Sequence, residues 1–431
     1  MLGLPGHLDL EDESVFTHVN RLTDDAYATA VIGKWHIARP ATADHPIAHG
    51  ADHFEGITGG GITDYYYWEK NTNGQMTTST EYITSDLTDA AVDWVSDQNR
   101  PWLLFLSHIA PHSPLQLPPD GLFTADNPST NKQLYNASIE AMDHEIGRLL
   151  DSMDEATRDN TIIIFIGDNG SPSGLLRGYP NGHGKGSMYE GGLRVPMIIS
   201  GRGVTRQGVI EPAITQANDL YATIIELCAG DLPGGVHNSY SIRNSLTEDN
   251  SIERPYIYAD YLDDDVVSWA IRDENYKLIL DEQGRQEFYD LSVSVQETDN
   301  LLEGTLTETE AEIMAELRAE AQVIRTGWSC QDRILNGEEL TIDDCGEVTA
   351  LHELGSGVLS IYPNPSSELL HVQVEGEIDY HLSLVDARGQ RVWRGTNASV
   401  IPISALDAGI YFLRIRDTQT GEQSVERIVV E

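Results

Sequence analysis

The chain has 431 residues, with 27 Lys+Arg against 69 Asp+Glu and a formal net charge of −42. That length predicts two or three domains with ample chain for a large core. So acidic a surface excludes nucleic acid or an anionic membrane as the main partner, because both are repelled. It also imposes a local condition: an anion site must be lined with its own cations, the rest of the surface being screened beyond about 8–10 Å at physiological salt. Of the three cysteines, Cys228 sits in an apolar helical pattern and reads as an inert core thiol. Cys330 and Cys345 bracket a short polar segment and are the candidates for a disulfide in an oxidising compartment. No stretch has the length of a transmembrane helix, and the first residues show no basic region followed by an apolar core, so no signal peptide is visible.

In chain order, residues 1–14 are short and polar, without an obvious partner element. Residues 24–30 read as a helix end and Tyr27–Ile32 as a strand leading to Gly33-Lys34-Trp35-His36. Lys34 and His36 are two potential cations, one residue apart, at the mouth of that strand. A solvated Lys34 and a loop-packed His36 explain these four residues equally well. Asp24-Asp25 follow Asn-Arg-Leu-Thr rather than an apolar strand, which assigns them to a helix surface or cap instead of a metal. Residues 41–80, rich in Thr, Gly, Tyr and Asn, read as a long excursion over the active face. Within it, His45, His49, His53 and Tyr65–Trp68 are assigned to ordinary loop packing.

A helix over about 85–98 precedes Trp102–Leu106, read as a buried strand. It ends in a loop where His112 lies between Pro111 and Pro114, rings that fix φ and hold a segment rigid enough to aim an imidazole. Residues 130–153 form a structural helix with Leu134, Met142, Ile146, Leu149 and Met153 facing in. The stretch from Thr161 to Pro196 organises the chain. It opens on Ile162–Ile166, too apolar for a half-exposed strand and therefore predicted to be buried in a covered sheet. Asp168, Asn169 and Gly170 follow at the carboxyl end, where open α/β sheets place their ligands. A carboxylate beside an amide carbonyl offers the hard oxygens that Ca²⁺ or Mg²⁺ takes, although Asp-Asn-Gly alone is also an ordinary turn. A glycine-rich loop then delivers His183 and Lys185. A cation held by oxygens with a lysine nearby suits an anionic oxyester.

Beyond it come a strand over 197–200, a helix over 218–229 and short strands over 254–290. Asp263-Asp264-Asp265 reads as a solvated loop. A helix over about 307–324 closes this part, and the cysteine-bracketed segment connects it to the rest. From about Leu354, short alternating strands separated by turn residues predict a small all-β sandwich with no catalytic cluster, assigned to targeting or attachment.

Gly33-Lys34-Trp35-His36, the APHSP of 110–114, the GDNG of 167–170 and the GKGSMYEGGLRVP of 184–196 stand in the order seen in type I sulfatases. The resemblance to this alkaline-phosphatase-like superfamily covers roughly residues 20–305, with 270–279 and 287–301 resembling its C-terminal subdomain. It implies an α/β fold with a mixed sheet flanked by helices and a small C-terminal subdomain, followed by the β-sandwich. The boundaries expected are 1–253 for the core, 254–328 for the subdomain, 329–353 for a linker and 354–431 for the sandwich. It further implies Asp168 and Asn169 as ligands of a divalent cation, usually Ca²⁺, with Lys34, His36, His112 and Lys185 around the sulfate and nucleophile. Arg194 is expected to anchor its loop, and His183 to be a pocket residue without an assigned role.

The chain also departs from that family. Type I sulfatases use a formylglycine made from Cys or Ser in a C/S-x-P-x-R motif, and paired Asp ligands after their first strand. Neither motif stands here, so this chain is expected to be inactive as written, an N-terminally truncated piece of a secreted sulfatase. The last domain, with IYPNPSSELLHVQV and AGIYFLRI, resembles the type IX (Por) secretion sorting domain, which implies that secretion machinery as a partner and a secreted or cell-surface location. Two further readings stand: a phosphatase or phosphodiesterase of the same superfamily, and a non-catalytic secreted protein that binds sulfated glycans. A purely structural protein explains none of the clustered cations and carboxylates.

Overall fold

A computed structural model describes residues 13–37, 42–230, 238–249, 254–263, 266–335, 359–362, 369–374, 380–386, 391–404, 406, 409–417 and 423–430. The chain divides into two compact units. The first holds the described residues of Met1–Trp269 with Asp281–Arg285 and Val293–Thr298; the second holds Ala270–Leu280, Gln286–Ser292 and Asp299–Glu431.

In the first unit, helix α1 (Val15–Thr23) starts on Ser14, whose hydroxyl accepts from the backbone N–H of Phe16 and Thr17 at 3.1 Å. It stops at Asp24, which adopts the left-handed conformation at φ 54°. The helix end expected within 24–30 thus falls at its first residue, with Asp24 as the cap. Strand β1 (Ala28–Lys34) is buried up to Gly33, and only Lys34 emerges at its end. After the one-turn α2 (His45–Ala48) come β2 (His53–Ile57), β3 (Trp68–Thr72) and β4 (Gln75–Ser79). Residues 41–80 are thus far more ordered than a loop excursion. Asn73 and Gly74, both at positive φ, turn β3 back into β4. Next in the chain are α3 (Ile83–Ser96) and β5 (Trp102–Ser107). The sheet runs β4-β3-β2-β1-β5, with β2, β1 and β5 parallel and the rest antiparallel, the mixed sheet expected.

Helix α4 (Asn131–Ser152) opens with a capping box between Thr130 and Gln133. Its buried face is Ala137, Ser138, Ala141, Glu145 and Leu149, so of the five side chains expected to face in only Leu149 is fully covered. Small residues let α4 approach α3, and Met142 and Met153 fill the margins of the shared core. Glu145 is tolerated there because it accepts from Ser85 at 2.6 Å and from Arg148 at 2.7 Å.

The short α5 (Glu155–Asp159), β6 (Ile162–Ile166), α6 (Glu190–Leu193) and β7 (Met197–Gly201) follow, then α7 (Asp219–Ala229), β8 (Ile257–Asp263) and β9 (Val266–Arg272). Cys228 on α7 packs beside α1, and burial pushes its thiol up to about 11, as suits an inert core residue. Two strand expectations need correction. Neither β5 nor β6 is buried: β6 is half-covered along its length, and β5 is half-covered with Phe105 49 % exposed. Among the described residues β5 pairs only with β1, and β6 only with β7, so each keeps an open edge.

In the second unit, β10 (Tyr276–Asp281) and β11 (Gln286–Asp290) pair as an antiparallel hairpin. Helix α8 (Glu308–Leu335) runs well past the predicted end near 324. Cys330 lies within this helix rather than in a connector, while Cys345 and any pairing of the two fall outside the described residues. Asp264 and Asp265 fall outside them as well.

The C-terminal strands form the expected β-sandwich. One sheet is β12 (Leu359–Tyr362), β13 (Leu369–Val374) and β16 (Val400–Pro402). The other orders β15 (Arg391–Thr396), β14 (Tyr380–Asp386), β17 (Gly409–Asp417) and β18 (Gln423–Val430). Tyr380, Leu382 and Leu384 alternate into the same core as Tyr411, Leu413 and Ile415, and Leu370, Val372 and Ile401 face them from the other sheet.

Candidate functional site

The site gathers at the carboxyl ends of β1, β5 and β6, within the first unit. Glycine makes the strand ends possible. Gly33, at φ 118°, pairs with Ser107, and an added Cβ would stand 2.0 Å from the Ser107 carbonyl oxygen. The Ser107 hydroxyl donates to the Lys34 carbonyl at 2.7 Å, fixing the residue from which the ammonium projects.

Lys34 is half-buried. Burial lowers its pKa, the Asp168 carboxylate raises it and the Lys185 ammonium lowers it, so Asp168 and Lys185 each lie within electrostatic range of Lys34. Asp168 itself is exposed, and its Oδ1 accepts from the Asn169 backbone N–H at 2.9 Å. The Asn169 side-chain nitrogen donates to the Gly170 carbonyl at 3.0 Å, which leaves its Oδ1 as the outward acceptor. The glycine-rich loop closes on this turn. The Lys185 N–H donates to the Ser171 carbonyl at 2.9 Å, and the Gly170 N–H to the Gly192 carbonyl at 2.9 Å. A Cβ on Gly170 would lie 1.9 Å from the Gly191 oxygen, so only glycine allows the backbones to meet.

His36 and His112 meet one loop of the 41–80 segment. Gly60 lies against the His36 ring and Gly61 against the His112 ring. The His112 Nδ1 donates to the Ser113 carbonyl at 2.8 Å, because a carbonyl only accepts; Nε2 is then the nitrogen available for a proton or a ligand. The Tyr65 phenol holds the same residue by donating to its carbonyl at 2.7 Å. His183 is stacked flat on Tyr189, with ring centroids 3.6 Å apart, and its Nδ1 donates to the Gln296 carbonyl at 3.2 Å. Arg194 is exposed, and its backbone N–H donates to Glu190 at 2.7 Å as part of the loop. His45 and His49 pack against each other, ring centroids 4.5 Å apart and planes tilted by 45°, and Trp35 Nε1 donates to His45 Nδ1 at 2.9 Å.

Asp168 and Asn169 alone do not make a cation site. Ca²⁺ takes six to eight oxygens, and among the described residues no group of three or more His, Cys, Asp and Glu stands ready to hold a metal ion. The present donor set is two side-chain oxygens, with the Lys34 ammonium as its electrostatic neighbour. His108, immediately after β5, was also overlooked. Both of its nitrogens are buried without a hydrogen-bond partner, and desolvation lowers its pKa to about 4. The sequence carries no signal for it, whereas Gly59-Gly60-Gly61 in a loop was a readable sign of close backbone approach.

The mixed sheet of this strongly acidic chain thus carries ammonium and imidazole groups at its strand ends. Comparison with known proteins gives the family. The sulfatase model matches residues 14–230, the C-terminal model of N-sulphoglucosamine sulphohydrolase matches 182–326, and a secretion system C-terminal sorting domain matches 360–431. Arylsulfatase G of Rattus norvegicus is 28% identical over 263 residues, 49% of this chain and 49% of the relative. A sulfatase of Formosa agariphila is 28% identical over 255 residues, 52% of this chain and 46% of the relative. The chain spans about half the length of the curated relatives it matches. Among solved structures, Ps i-CgsB in complex with k-i-k-neocarrahexaose superposes with a TM-score of 0.63 at 23% identity, over 74% of this chain and 75% of that one. BT4656 in complex with its substrate D-glucosamine-2-N,6-O-disulfate gives 0.60 at 19%, over 74% and 83%. At these identities the likeness is one of fold. The chain belongs to the sulfatase family and carries a secretion sorting domain at its C-terminal end.

Proposed function

We propose that the strand-end cluster receives the sulfate group of a sulfated glycan or a small aryl sulfate, and that this chain on its own binds such groups without cleaving them. The observation that carries the reading is Lys34: a half-buried ammonium in range of both Lys185 and Asp168, inside a chain of net charge −42. Two ammonium groups neutralise the oxygens of a sulfate, and interactions of this kind strengthen where water is partly excluded. His112, with Nδ1 committed to a carbonyl, presents Nε2 as proton donor or acceptor at the ester. The substrate named for one structural neighbour, a disulfated glucosamine, supports a sulfated sugar as the class.

No C/S-x-P-x-R motif stands in the sequence, so none of these residues supplies the nucleophile of the family, and no turnover is assigned to this chain. Asp168 and Asn169 are proposed as two ligands of a Ca²⁺. The sorting domain supports export by the type IX machinery to the cell surface or the medium. No helix among the described residues is long and apolar enough to cross a membrane.

Calorimetric titration of the chain with sulfate, phosphate and glucosamine disulfate tests the reading, together with an aryl sulfate hydrolysis assay. Sulfate and the disulfated sugar are expected to bind, Lys34→Met and Lys185→Met each to weaken them, and hydrolysis to stay at background. Hydrolysis by the unmodified chain would overturn the non-catalytic assignment. Unchanged affinity in both lysine variants would overturn the site, and a preference for phosphate would favour the phosphatase branch of the superfamily.

A further inference from the structure

We infer that Gly60 and Gly61 are positioning residues that set His36 and His112 jointly, and that they are glycine for want of space rather than for backbone freedom. Neither glycine has a positive φ, so alanine fits the backbone conformation at both. What alanine lacks is room. A Cβ at Gly60 would stand 2.5 Å from Nε2 and 2.6 Å from Cε1 of His36, and one at Gly61 3.3 Å from Cε1 of His112. The neighbouring Gly59 has nothing within 4 Å.

The loop itself is pinned, so the rings would have to move instead. The Tyr65 phenol donates to the His112 carbonyl at 2.7 Å, the Tyr65 N–H donates to Gln116 Oε1 at 2.5 Å, and the Tyr66 phenol donates to the Leu117 carbonyl at 2.7 Å. Tyr65 is also buried at 2 % exposure. One backbone segment, two residues long, is therefore the common floor for two imidazoles delivered by different strands. A side chain at 60 pushes the His36 ring away from the sulfate pocket proposed above, and one at 61 does the same to His112 more gently. The inference rests on that functional reading only for its binding readout.

The test compares Gly59→Ala, Gly60→Ala and Gly61→Ala in the full chain. Histidine ring resonances are followed by NMR with ¹⁵N-labelled histidine, assigned with His36→Gln and His112→Gln, and sulfate affinity is measured by calorimetry. Gly60→Ala is expected to shift the His36 resonances and weaken sulfate about tenfold, the size of loss when one hydrogen bond to a charged group is misdirected. Gly61→Ala should move the His112 resonances with a smaller loss, and Gly59→Ala should match the wild type in both readouts. The inference is overturned if Gly60→Ala leaves His36 where it was, or if Gly59→Ala acts as strongly. Should Gly60→Ala fail to fold, Tyr65→Phe carries the test: it frees the loop from His112, and unmoved His112 resonances would refute the clamp. A wild type that binds no sulfate removes the proposed function, yet the ring shifts still decide the positioning role.

Discussion

His108 makes the folded chain acid-sensitive, and the effect can be sized. Its two ring nitrogens are buried without partners, and burial lowers the imidazole from 6.5 to about 4. Unfolded, the ring takes up a proton near 6.5; folded, it resists until about 4. Between those values the unfolded state binds more protons, so stability falls as pH is lowered through the window. A gap of about 2.5 units amounts to about 3.4 kcal/mol below both values, and about 2 kcal/mol at pH 5 relative to pH 7. Urea denaturation of the wild type and His108→Leu at pH 7, 6 and 5 measures it, since the carboxylates titrate alike in both proteins. The leucine variant should gain on the wild type by about 2 kcal/mol between pH 7 and 5. It should also be the more stable at pH 7, where it removes two unsatisfied nitrogens. A stability difference that stays constant with pH would refute the reasoning.

Gly170→Ala is expected to cost about 3 kcal/mol, because its methyl group would meet backbone rather than a side chain that can swing away. It should also weaken sulfate binding by pushing back the glycine-rich loop that carries Lys185; a thermal midpoint and a titration check both. Asp219 on α7 forms a two-point pair with Arg254, the side chains being 1 % and 5 % exposed, and also accepts from the N–H groups of Gln216 and Tyr240. Asp219→Ala should therefore lose about 3–5 kcal/mol in a urea melt, since it leaves a buried guanidinium unpaired. Lys34, lowered by burial from 10.5, should shed its proton at a lower pH than an ordinary lysine. Sulfate affinity should then decline on the alkaline side before 10.5 is reached, and Lys34→Met should flatten that limb of the profile. The same shift makes stability rise, not fall, as pH climbs through the folded value of Lys34 toward its unfolded one.

The mixed sheet and the sandwich were legible because strands of this protein end on motifs or alternate strictly. Lys34, Asp168 and Lys185 stood at the strand and loop ends where the structure brings their charges together. Residues 41–80 read as a loop rather than as β2, β3 and β4, although Asn73-Gly74 carries the signature of a tight hairpin turn. The face of α4 was misjudged because periodicity counts apolar residues, whereas close helix contact selects small ones and a satisfied Glu145. Gly59-Gly60-Gly61 signals close approach in the sequence but not which rings fill the space at Gly60 and Gly61, since they come from elsewhere in the chain. His108 escaped because a buried, unpartnered histidine reads in sequence like any other.

The apolar runs of β5 and β6 read as buried strands, and the edges left unpaired among the described residues pose a handling problem. Such an edge is a template on which another extended chain can add itself, and Phe105, exposed on β5, makes the surface beside that edge adhesive. What opposes this is the charge of −42, which keeps copies apart over a range set by the salt of the medium. Colloidal behaviour should thus run opposite to that of a protein held in solution by a balanced surface. Dilute buffer keeps the molecules dispersed, and added salt lets them find one another.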